Sequence, residues 1–140
     1  MLKAIGPFVI GSILVLSACT RHKTLTRDDL RSEITSAKSL AAESEMFLDY
    51  VRENRATKHY AEGHIEYLTE QIEQSRKELQ ESPPAQGEEG GLQELKAKFG
   101  ALSTELHNIH GKLDDPAALA TAKQHIASIC HSLDDAKSSI

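Results

Sequence analysis

Histidine is the residue type here with the most chemical potential. The 140-residue chain carries seven of them, His22, His59, His64, His107, His110, His125 and His131. His107 and His110 stand three apart, so on a helix both imidazoles lie on one face and can ligate one ion. Zinc or copper would need a further donor, and His64 from a facing helix is the candidate. His59 and Tyr60 belong to the same neighbourhood if helices bring them together. No Glu-x-x-His pair occurs, so the di-iron pattern of carboxylate bundles is absent. Cys130-His131 has the last two residues of a Cys-x-x-Cys-His haem attachment site, but Ala127 stands where the first Cys belongs. A non-covalent haem on His131 would want an axial Met or a second His level with it, and antiparallel packing leaves Met46 about 15 Å away at 1.5 Å per residue. No nucleophilic triad, phosphate-cradling loop or paired catalytic carboxylates can be read, so a non-enzymatic role is expected.

Helices must position these groups. Four sets of small and apolar residues step by three and four: Leu30 to Val51, Ala61 to Leu79, Leu92 to Ile109 and Leu119 to Ile140. Each set puts one apolar face on a helix. Glu73–Lys77 and Glu94–Lys98 are spaced for i,i+4 pairing on the polar faces. No strand alternation appears after residue 24.

The ends of these segments carry local signals. Thr26 suits an N-cap, with Asp29 at N3 and Leu25 and Leu30 as a hydrophobic staple. Ser82-Pro83-Pro84 stops the second segment, and a polar, Gly-rich connection runs to Gly91. His110-Gly111 reads as a C-terminus with Gly at C′. Asp115-Pro116 reads as an N-cap followed by Pro at N1. Arg52 to Lys58 has neither Gly nor Pro. Continuing the first stripe would turn Arg55, Lys58 and Glu62 towards the core, which argues for a turn near Asn54–Thr57.

The expected fold is therefore all-α, an up-down-up-down four-helix bundle over residues 26–140. The alternative is one long helix over 27–82 with a packed hairpin, as a dimer. In the bundle the start of the second helix lies beside the end of the third, which gathers His59, His64, His107 and His110 at one end. Gly63 and Gly100 fall inside helices, at a cost of about 1 kcal/mol each relative to Ala, and close helix packing is the expected reason.

The first nineteen residues have another character. Lys3 precedes an apolar run from Ala4 to Leu16, shorter than the roughly 20 residues a bilayer span needs. It closes on Leu16-Ser17-Ala18-Cys19. Here the chain resembles the bacterial lipoproteins, whose lipobox has Leu, two small residues and Cys. The resemblance covers residues 1–19. It implies cleavage of residues 1–18, a diacylglyceryl thioether on Cys19 and acylation of the new amine, with no other cofactor. Residues 19–25 would form a lipidated tether of at most about 25 Å. Thr20 stands where inner-membrane retention would place Asp, which points to the periplasmic face of an outer membrane.

Composition narrows the partners. Sixteen Lys and Arg against 21 Asp and Glu give a net charge of −5, which argues against nucleic acid. Arg21, Lys23 and Arg27 form a small basic group beside the expected lipid. With Cys19 lipidated, Cys130 has no partner within the chain and is expected to be buried. The expected role is a membrane-anchored binding or scaffolding module for another envelope protein, with a homodimer left open. The alternative is a zinc- or copper-binding lipoprotein using His64, His107 and His110.

Overall fold

The computed structural model describes residues 23–140; the lipobox, Cys19 and His22 lie outside them. Four helices follow in order: α1 (Arg27–Arg52), α2 (Lys58–Glu81), α3 (Glu89–His110) and α4 (Pro116–Ser139). They form a bundle in which α1 packs most extensively on α4, and α2 on α3. α3 also meets α4 and, across the diagonal, α1; α2 and α4 do not meet. The consecutive pair α1 and α2 has the thinnest packing of those that touch.

The start of α1 is built as its sequence requires. The Thr26 hydroxyl accepts from the Asp29 N–H, and the Asp29 carboxylate accepts from the Thr26 N–H at 2.9 Å. Leu25 and Leu30 are both buried beside this cap. Leu25 differs from expectation in one respect: it belongs to the domain, not the tether. Its N–H donates to the Pro83 carbonyl and its carbonyl accepts from Ala85, both at 2.8 Å. Hydrogen bonds from Lys23 and Thr26 hold the Asp29 carboxyl far below the usual carboxylate range. A depressed folded-state pKa stabilises the fold above the unfolded value near ~4, and the gain is lost as pH falls below it. Thr26→Ala should cost about 1 kcal/mol, read as a lowered denaturation midpoint, and should flatten the acid-side stability loss.

Asn54 decides between two helices and one. It takes φ 57, in the left-handed region, which Asn tolerates better than most residues. Its N–H donates to the Val51 carbonyl at 2.9 Å, and the Arg55 N–H donates to the Tyr50 carbonyl at 3.1 Å. This pair of bonds closes a helix C-terminus without glycine. Thr57 then caps α2 by accepting from the Tyr60 N–H. The single long helix is thereby replaced by a turn.

The four stripes supply the core. Leu30, Ile34, Leu48, Ile65, Leu68, Ile72, Phe99, Leu102, Leu106, Ile126 and Leu133 are essentially sealed from solvent. Ser44 sits among them, its hydroxyl donating to the Leu40 carbonyl at 2.7 Å. Ser75 and Ile129 are only half-buried. Cys130 is also half-buried; partial burial and the nearby Glu45 raise its thiol pKa.

Several local expectations change. α3 begins at Glu89, so Gly90 and Gly91 are helical, and Gly91 lies against Leu30 and Ile140. Gly111 ends α3 with φ −86, not left-handed. Glu73 pairs with Arg76, not Lys77, and Glu94 makes no ion pair among the described residues. Gly63 and Gly100 are not close-packing sites: a Cβ at either would meet nothing within 4 Å.

Candidate functional site

Two surfaces bear chemistry, one on each flank of α2. Counting from the buried Ala61, Ile65, Leu68 and Ile72, the residues Tyr60, His64 and Tyr67 turn towards α1. Glu66, Thr69 and Glu73 turn towards α3.

The α3 flank is a cleft of about 380 Å³ lined by Glu66, Thr69, Glu70, Glu73, His107 and His110. His107 Nδ1 lies 2.9 Å from the Ser103 carbonyl. An acceptor there requires the proton on Nδ1, which leaves Nε2 as the basic nitrogen. The Ser103 hydroxyl, 3.3 Å from the same Nδ1, donates instead to Glu73, whose carboxylate also accepts from Arg76 at 3.0 Å. Glu73 therefore holds the Ser103 hydroxyl, and His107 does not take its proton.

His64 lies elsewhere. Its ring is 4.2 Å from that of Phe47 on α1, and its Nε2 is 3.4 Å from Glu43 Oε1. The structure thus keeps His107 and His110 together and places His64 on the other side of α2. Among the described residues, no three His, Cys, Asp or Glu side chains converge as a metal-holding group. His59, His110 and His131 are exposed, and His125 faces Glu105 at 3.2 Å.

The α1 flank is the surface that sequence reasoning missed. Phe47 forms its floor, only 7% exposed. Tyr50 stacks beside it at 6.3 Å between centroids, Tyr60 meets it edge-on at 6.0 Å, and Tyr67 lies 5.8 Å from His64. The chain has three tyrosines, and all stand on this ledge. Tyr60 and Tyr67 remain 55% and 51% exposed, and neighbouring Met46 68%. Gly63 sits on the same outward strip of α2, between Tyr60 and Tyr67.

The signal was available. Tyr60, His64 and Tyr67 repeat at i, i+4 and i+7, each one residue before a core position. Phe47 likewise stands just before Leu48.

The ledge lies at the end of the bundle away from Leu25. The 53–57 turn and the Lys58–Asp114 ion pair mark its end, while Leu25, Pro83, Glu88 and Ile140 gather at the other. Gly63→Ala should stabilise the fold by about 0.5–1 kcal/mol, because helix propensity improves and the added methyl meets nothing. Gly100→Ala should do the same. Chemical denaturation of the two variants checks this.

No protein-family model, curated protein or solved structure matches the chain.

Proposed function

We propose that this chain is a bacterial envelope lipoprotein, anchored by lipid on Cys19, whose helical bundle is a non-enzymatic binding or scaffolding module for another envelope protein. The observation that carries the reading is the aromatic ledge. Tyrosine and methionine are enriched where proteins bind one another, and an aromatic side chain buries about 150–250 Å² on docking. A fold that needs only its core has no use for three half-exposed tyrosines on one strip. Between Cys19 and Leu25 the chain spans at most about 25 Å, so the ledge would be held out from the membrane by the length of the bundle. In-cell photocrosslinking from Met46, compared with Ser128 on α4, tests this. A protein adduct from Met46 alone is expected, and its absence would remove the reading.

The α2–α3 cleft supports a second reading, metal binding. An imidazole whose Nδ1–H is fixed by a carbonyl presents Nε2 as a ligand, and the third donor would have to swing in from Glu66 or Glu70, since no three such side chains converge among the described residues. On this reading, zinc at 100 times its dissociation constant stabilises the fold by about 2.7 kcal/mol, and His107→Ala with His110→Ala abolishes the gain. Unchanged melting of the full mature chain with zinc or copper at neutral pH removes it.

A further inference from the structure

We propose that the ledge of Phe47, Tyr50, Tyr60, His64 and Tyr67 around Gly63 is the docking site for a basic segment of a partner protein, which lays an Arg or Lys side chain across the tyrosine rings. The inference rests on the binding-module reading and gives the partner its chemistry.

Gly63 supplies one argument. A glycine in a helix interior is unfavourable, and nothing within the bundle explains it, because a Cβ there would meet open space. It leaves a bare notch of backbone on the strip between Tyr60 and Tyr67. A ligand lying along α2 can approach the helix closely at that point and at no neighbouring residue.

Charge supplies the other. The basic side chains between Tyr50 and Tyr60 are already engaged: Arg52 with Asp49 at 2.9 Å, Arg55 with Glu53 at 3.0 Å and Lys58 with Asp114 at 3.0 Å. On the ledge Glu43 faces only His64, and Glu70, three residues after Tyr67 on the outward edge of α2, has no Lys or Arg within ion-pairing distance among the described residues. Aromatic faces flanked by unneutralised carboxylates attract a guanidinium or ammonium group through both the ring quadrupole and the charge. A second copy of this chain fits poorly, since a two-fold contact would set the same carboxylates against one another. An anionic lipid surface is repelled for the same reason.

The test has two arms on the full mature chain. In solution, a capped (Gly-Arg)4 peptide is titrated while tyrosine fluorescence is followed, beside the same peptide with citrulline for arginine. The arginine peptide should bind at least tenfold more tightly. Gly63→Leu should weaken it at least tenfold while raising the melting temperature, which separates a filled notch from a damaged fold. Gly100→Leu should leave binding unchanged. Equal binding of the two peptides, or full binding by Gly63→Leu, overturns the inference. In cells, the adduct from Met46 should map to a partner segment of net positive charge. An adduct on an acidic or neutral segment, on a glycan or on a second copy overturns it. A partner adduct on an acidic or neutral segment leaves the binding-module reading standing, whereas no adduct at all removes both.

Discussion

Replacing Leu102 by aspartate should abolish cooperative melting or lower the midpoint by more than about 15 °C. Leu102 is fully buried on α3, which like α1 touches all three other helices. The change forfeits about 2–3 kcal/mol of apolar burial. It also places a carboxyl where ionisation costs several kcal/mol without a partner. Together these approach the 5–15 kcal/mol that stabilises a typical domain. Glu94→Gln, on the exposed side of the same helix, should stay within about 0.5 kcal/mol of the parent. Circular dichroism of the two variants is the measurement. Similar midpoints would mean that the α3 stripe does not face the core.

Cys19→Ser should have an all-or-none effect on lipid attachment. On the proposed reading, the Cys19 sulfur forms the thioether, and processing follows lipidation. The variant should accumulate as unprocessed precursor and take up no alkyne-labelled fatty acid, while the parent is labelled and shortened. Each buried CH₂ contributes about 0.8 kcal/mol, so a single chain holds a protein only reversibly and two or more hold it stably. Fractionation alone would not be decisive, because the uncleaved apolar leader can itself hold the precursor at a membrane. A labelled Ser variant would remove the lipoprotein reading.

Helix existence, helix ends and core faces were legible in the residues because each is set within a few positions along the chain. The Thr26 cap with Asp29, the Asp115-Pro116 start and the Pro83-Pro84 stop lie where local hydrogen bonding and sterics put them. Leu92, Leu95, Phe99, Leu102, Leu106 and Ile109 are all buried, as a 3.6-residue period requires. The turn after α1 was legible only indirectly, from charges that a continued stripe would bury. Its own signal, Asn54 in the left-handed region, is weaker than Gly or Pro because Asn adopts that conformation only in part of its occurrences.

The assignment of flanks to neighbours was decided by tertiary structure alone. Spacing fixes that His64 and Tyr60 lie on one side of the α2 core stripe and Glu66 and Glu73 on the other. It does not fix which side meets α1 and which meets α3. An antiparallel bundle can turn either way from its first hairpin, and the apolar stripes fit both arrangements nearly equally, because burial has no direction. Had this bundle turned the other way, His64 would face the Glu105 and Asn108 flank of α3, and His107 and His110 would turn towards α4, so neither hand gathers all three. As folded, α1 receives that flank, Phe47 slides under His64, and the expected three-histidine group becomes a two-histidine cleft and an aromatic ledge on opposite sides of one helix.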